Sequence, residues 1–366
     1  MNLSFKYRMS QKMKSLYTWF LLALPLWLAG CVEPVELKMP DNEKLMTISG
    51  LITTDPGPYY IYINMSSPYG GNLSIIDNSV KNATVTIQDE LGNIEVLSQY
   101  QFGIYRTRAG ASGIRGRVGG TYTLTVNLQD GRTYASKAEV MPAVPALASV
   151  KSAYVEKTVI ENDNELPDDR FELTAQFQDA AGERNFYRWD WTGVYEVATQ
   201  PWEYTETDIR TGRLVSKPKS CCTTCWVKDT VSAIRVSDDR LFNGNFVQSQ
   251  QVATIPVTPQ TLNIRYRVEI RQYSLSETAY DYWRVMEMQT AKTGSVLDPP
   301  PANAKSNLYN VNDPEEMVIG YFGASAVSRQ VVNLNRSDVP NPPPLLDYDD
   351  DCRVILNSTT IRPSFW

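Results

Sequence analysis

Apolar and polar positions alternate with a period of two along much of the chain after residue 44. The pattern recurs at Leu45 to Thr53, Tyr59 to Met65, Ala83 to Gln88, Ile94 to Leu97, Thr121 to Leu128 and Thr133 to Val140. Side chains alternate across a strand, so each run predicts a strand with one face buried. Asp55-Pro56-Gly57-Pro58, Leu91-Gly92-Asn93 and Gln129-Asp130-Gly131 lie between the runs and supply turn residues. Short strands with regular turns predict a small β-sandwich over residues 45–142.

Pro142-Ala-Val-Pro145-Ala reads as a linker. Beyond it, strands are predicted at Phe171 to Gln178, Val252 to Val257, Leu262 to Tyr273, Met317 to Tyr321 and Val327 to Leu334. The run Phe186 to Trp191 puts Phe186, Arg188 and Asp190 on one face and Tyr187, Trp189 and Trp191 on the other. One helix is predicted near residues 275–290. Ser274 and Glu277 fit a capping box, and Ala279, Tyr282, Trp283 and Met286 share one face. The expected fold is mainly all-β. An N-terminal sandwich, similar in its Gly119 to Gly131 hairpin to immunoglobulin-like and transthyretin-like modules, precedes a larger β-rich domain over 148–366 with that single amphipathic helix. Arg108 to Gly120 contains five glycines. It lacks a Gly-Lys-Ser/Thr ending and a βαβ setting, so it reads as a mobile connection rather than a phosphate loop.

Residues 1–30 change the picture of where these domains work. Lys6, Arg8, Lys12 and Lys14 precede an apolar run from Trp19 to Leu28 that is short for a membrane span. The run ends in Leu28-Ala29-Gly30-Cys31, which resembles a bacterial lipobox. Residues 1–30 are therefore expected to be a signal peptide, Cys31 the lipidated N-terminus, and residues 31–44 a tether. Val32 rather than aspartate follows the cysteine, and Glu33 and Glu36 resemble a surface-export signal. The expected location is the outer membrane, at the cell surface, with its periplasmic face as the alternative.

Charge and composition then exclude functions. The formal net charge is −6, and losing the four positive charges of the signal takes it to −10. Such a chain lacks the basic stripe that nucleic-acid binding needs. It contains no histidine. That excludes Ser-His-Asp and Cys-His catalysis and histidine-ligated zinc or haem.

Several stretches together resemble the Bacteroidetes lipoprotein family catalogued as domain of unknown function 4249. They include Ile48-Ser-Gly-Leu-Ile, Asn185-Phe-Tyr-Arg-Trp, Asp238-Asp-Arg-Leu-Phe-Asn-Gly, Ala279-Tyr-Asp-Tyr-Trp283, Gly320-Tyr-Phe-Gly-Ala-Ser325 and Pro363-Ser-Phe-Trp366. The resemblance implies an accessory outer-membrane lipoprotein beside a TonB-dependent transporter, with a glycan or another nutrient as ligand. It implies no chemistry. A surface adhesin or assembly subunit is the alternative reading.

With Cys31 lipidated, Cys221, Cys222, Cys225 and Cys352 remain, an even number in an exported chain. Two disulfides are expected. A bond between neighbours Cys221 and Cys222 is disfavoured, because disulfides favour Cα atoms about 5.5 Å apart. The expectation is that Cys352 pairs with Cys221 or Cys222, and Cys225 with the other. No cofactor is expected. A four-thiolate zinc site lacks a second Cys-x-x-Cys. Asp347 to Asp351, and Asn162 to Glu165 with Asp168 and Asp169, lack the order of ligands of a calcium loop. Glu203 with Glu206, or Asp190 with Glu196, would be the carboxylate pair of a glycan-cleaving enzyme, a further alternative. Trp202, Tyr204 and Trp226 mark a possible binding loop. The terminal Phe365-Trp366 reads as a strand end docked on the second domain and fastened by Cys352.

Overall fold

The first alternating run becomes the strand Met46–Thr53, with Met46, Ile48 and Ile52 completely buried. It belongs to a computed structural model that describes residues 44–67, 78–161, 164–230, 234–291, 304–346 and 348–366. About half the chain is strand, and one long helix is present among the described residues.

Met46–Thr53 pairs antiparallel with Tyr60–Met65, and Ile104–Arg106 and Ser98–Gln101 extend that sheet. The facing sheet contains Ile94–Val96, Thr84–Asp89, Thr121–Asn127 and Thr133–Ser136. Ile61, Ile63, Val85, Ile87, Leu124, Val126 and Tyr134 fill the space between them. The predicted run Thr133 to Val140 is two strands, Thr133–Ser136 and Glu139–Val140.

The sandwich is not made by residues 45–142 alone. Leu308–Asn310 adds to Thr133–Ser136, and Val318–Ile319 and Phe322–Ser325 pair in parallel with Met46–Thr53. The expected second domain thus lends three strands to the first. Phe322 and Ala324 enter the first core because Gly50 and Ile52 are their register partners. By its contacts the stretch from Lys44 to Trp366 is one unit.

In the second layer pair, Leu147–Val155, Arg170–Gln178 and Phe246–Pro256 form one sheet. The other contains Val327–Asn335, Arg265–Leu275, Phe186–Ala198 and Thr224–Thr230 in that order. Tyr187, Trp189 and Trp191 point into the shared core with Phe171, Phe177, Tyr266 and Ile270, as the alternation requires. The polar ends of the rings stay bonded: Trp189 Nε1 donates to Ser237 Oγ at 3.0 Å and Tyr266 OH to Asp229 at 2.6 Å.

The helix spans Glu277–Thr290, and its cap is Ser276, not Ser274. Ser276 Oγ accepts from Ala279 N at 3.1 Å. The strand Arg265–Leu275 runs on until Leu275 has paired with Phe186, so no helix can begin earlier. Ser274 is buried in that strand instead. Its hydroxyl donates to Pro142 O and accepts from Ala326 N, tying three segments together. Ala279 and Tyr282 bury against Phe186, Leu275 and Tyr321, with Trp283 and Met286 beside them.

Arg108 to Gly120 is not free. The carboxylate of Glu95, only 3% exposed, accepts from the amides of Arg108 and Ile114. Arg117 N donates to Tyr122 OH at 2.9 Å, and Gly119 N to Met141 O. Side chains from other strands thus organise a loop whose own composition suggests mobility.

Glu139 is equally buried where the helix meets the first sandwich. It accepts from Ser276 Oγ at 2.5 Å and Tyr321 OH at 3.0 Å. Burial pushes its carboxyl above the ordinary 4.5, and the hydrogen bonds from Ser276, Tyr321 and Asn307 offset part of that. A folded pKa above the unfolded one means the folded state holds its proton more tightly. The resulting stability is complete below pH 4.5 and is lost as pH rises through the folded value. Glu139→Gln should therefore flatten this loss. Urea midpoints at pH 4.5 and pH 7 measure it, and an unchanged drop in the variant would refute the assignment.

Candidate functional site: a disulfide-clasped corner and its exposed hairpin

The candidate binding loop grows out of two long neighbours in the sheet. Phe186–Ala198 and Thr224–Thr230 pair antiparallel, with Val197 opposite Cys225 and Glu196 opposite Trp226. Everything between them, residues 199–223, is an excursion from the sheet end. Its base is a short turn, Pro201–Glu203, and its tip a hairpin, Thr205–Thr207 with Leu214–Ser216. Asp208 forms the turn, its carboxylate accepting from Arg210 N at 2.7 Å. Gly212 takes φ +66°, a left-handed conformation suited to glycine.

Covalent bonds fasten the base. Cys225 and Cys352 are joined with S–S 2.01 Å and Cα atoms 5.8 Å apart, both completely buried. Cys221 and Cys222 are joined to each other. This corrects the expected pairing. The strand register turns Cys225 to the inward face beside Val197, where the Cys352 turn docks. Cys221 and Cys222 lie before the strand, in the loop that leads into it. Cys352 N donates to Cys222 O at 3.2 Å, and Thr199 Oγ1 donates to the same oxygen at 2.9 Å. Gln200 N donates to Tyr348 O at 2.6 Å. The C-terminal segment therefore holds both ends of the excursion.

Charge supports the same corner. Lys219 pairs with Asp350 and lies 3.9 Å over the Tyr204 ring. The Arg353 side chain bonded to Asp351 holds that carboxyl down at about 2. Asp351 approaches Cys221 and Cys222, but with the two sulfurs bonded to each other they offer no thiolate to a metal. Of the acidic runs, Asp347, Asn162 and Asp163 lie outside the described residues, as does Cys31. Asp168 pairs with Arg170, and Asp169 accepts from Tyr154 OH at 2.7 Å.

The three predicted aromatic residues do not form one surface. Trp202 is 54% exposed at the hairpin base and Tyr204 is half-buried under Lys219. Trp226 is a strand residue and is buried, so it belongs to no open loop. The exposed apolar side chains are instead Ile209, Leu214 and Val215, at 98%, 72% and 50%. Turn-like composition hid them. The available signal was Ile209-Arg-Thr-Gly-Arg-Leu-Val215, apolar residues on both sides of a glycine turn with no core to enter.

The candidate carboxylates are engaged elsewhere. Asp190 Oδ1 lies 2.9 Å from Arg271 Nε, and Glu206 pairs with Lys217. Glu196 accepts from Trp366 Nε1 at 2.9 Å. That last bond belongs to the tail, which adds Ser358–Thr359 to the edge of Thr224–Thr230. Phe365 and Trp366 then lie over Arg267 and Arg265 at 4.1 and 4.2 Å.

The family described as a domain of unknown function, DUF4249, matches residues 32–331. The chain belongs to the DUF4249 family. No curated protein matches it. Within this DUF4249 chain the matched span includes the hairpin and Cys221, Cys222 and Cys225, while Cys352 and Phe365-Trp366 lie beyond it.

Proposed function

We propose that the protein is an outer-membrane lipoprotein, held by acylated Cys31 at the cell surface, that serves a TonB-dependent transporter as a non-enzymatic accessory or substrate-capture partner. The hairpin carries this reading. Ile209 and Leu214 are 98% and 72% exposed on a projection whose base is fixed by a buried disulfide. Exposed apolar side chains on a fastened base suit an interface, because docking removes their apolar surface from water while the base is already held. The anchor rests on Leu28-Ala29-Gly30-Cys31 and the basic stretch before it. The transporter rests on the family resemblance. The ion pairs and hydrogen bonds of Asp190, Glu196 and Glu206 favour binding over carboxylate catalysis.

Gently solubilised outer membranes test it. A tagged wild-type chain should bring down a TonB-dependent transporter, and the Ile209→Asp, Leu214→Asp variant should recover at least about tenfold less. Cys31→Ala should move the protein to the soluble fraction and remove palmitate labelling. A wild-type chain that comes down alone would overturn the accessory role.

A further inference from the structure

The first sandwich carries a second surface, independent of the hairpin. Tyr60–Met65, Ile104–Arg106 and Ser98–Gln101 lie side by side at one edge of their sheet. Ile61, Ile63 and Tyr105 turn inward and are buried. Alternation puts Tyr60, Tyr62, Ile104 and Arg106 on the opposite face, where Tyr60 is the register partner of Arg106 and Tyr62 of Ile104. Tyr100 joins them from the edge strand. Its ring lies 5.9 Å from that of Tyr60, and the Arg106 guanidinium sits 4.5 Å over it. Phe102 follows in the turn before Ile104, with the Lys81 ammonium 4.5 Å above its ring. Tyr62, Tyr100 and Phe102 are 44%, 49% and 52% exposed.

Two features of this face point to a ligand. Among the described residues neither Lys81 nor Arg106 has a carboxylate partner. The net charge of the chain is −6, yet these two cations rest on aromatic rings and not on carboxylates. The rings themselves are half in water, and phenols present an apolar face together with a hydroxyl. A ligand that matches has apolar C–H faces, many hydroxyls and negative charge. Cations held over rings are already oriented, so pairing with an anion costs them little further ordering.

We infer that this face binds an acidic polysaccharide. The Tyr62 and Tyr100 rings take sugar faces, and Arg106 and Lys81 take the carboxylates. Native electrophoresis of the detergent-solubilised full chain through gels containing polygalacturonate tests this. Dextran supplies sugar rings without charge, and polyglutamate supplies charge without sugar rings. Polygalacturonate alone should retard the protein. Tyr62→Ala with Tyr100→Ala should weaken that retardation on the order of tenfold. Arg106→Gln with Lys81→Gln should weaken it and make it less sensitive to salt. Tyr62, Tyr100 and Lys81 are exposed and Arg106 is half-buried, and circular dichroism should show each variant folded. Equal retardation by dextran or polyglutamate, no retardation at all, or variants that run like wild type would each overturn the proposal. The transporter reading stands or falls separately, by co-purification.

Discussion

Removing the buried bridge with Cys225→Ala and Cys352→Ala together is expected to lower the unfolding free energy by about 5 kcal/mol. The two cysteines are 127 residues apart in sequence, so their bond removes much freedom from the unfolded chain. Replacing both avoids a lone buried thiol. The pair Cys221 and Cys222 provides the comparison, because a bond between neighbours closes almost no loop. Cys221→Ala with Cys222→Ala should therefore cost far less. Urea midpoints without reductant decide between them. Equal losses from the two double variants would show that loop closure is not what the buried bridge contributes.

That bridge also marks the boundary of what the sequence discloses. The even cysteine count and the export expected from residues 1–30 indicated two bonds, but their pairing depended on a strand not visible by pattern. Thr224–Thr230 contains Cys225-Trp-Val, and only its pairing with Phe186–Ala198 tells which of those side chains faces inward. Trp226, which composition places in an exposed loop, is buried on the opposite face of that strand, beside Glu196. The strands with a clean period of two were legible because one face packs on a core and the other meets water. Tyr187, Trp189 and Trp191 are the clearest case. Ser98–Gln101 was not legible, since all four of its residues are exposed at a sheet edge. Neither the Ser276 cap nor the anchoring of Arg108 to Gly120 could be placed locally. The first depends on how far Leu275 pairs with Phe186, and the second on a carboxylate from Glu95. The exposed apolar side chains of the hairpin, inside the loop marked by Trp202, Tyr204 and Trp226, were missed for the opposite reason. Ile209 and Leu214 have apolar chemistry in a position without a core, and a pattern reading assigns such residues no role.

The largest gap between sequence and fold is the return of residues 308–325 to the first sandwich, and Gly320→Ala should expose what holds it. Gly320 has φ +107°, a conformation that residues with a Cβ rarely adopt. An added Cβ would stand 1.9 Å from the Ile48 carbonyl oxygen and 2.8 Å from its carbon. Both are backbone atoms in the middle of Met46–Thr53, so no side chain can swing aside. The strands Val318–Ile319 and Phe322–Ser325 would have to move away from their partner, drawing the buried Phe322 and Ala324 from the core. Backbone strain and overpacking together are expected to cost roughly 3 to 5 kcal/mol. Gly323→Ala is the matched control. It lies in the same segment, and the nearest atom to its added Cβ is the flexible Leu51 Cδ1 at 3.2 Å. That variant should lose about 1 kcal/mol or less. Urea midpoints give the two values, and hydrogen exchange adds a local reading. Gly50 N donates to Tyr321 O at 3.2 Å, so its amide should exchange faster in Gly320→Ala and remain protected in Gly323→Ala. If both variants unfold at the same urea concentration, close approach at Gly320 is not what joins the two parts of the chain.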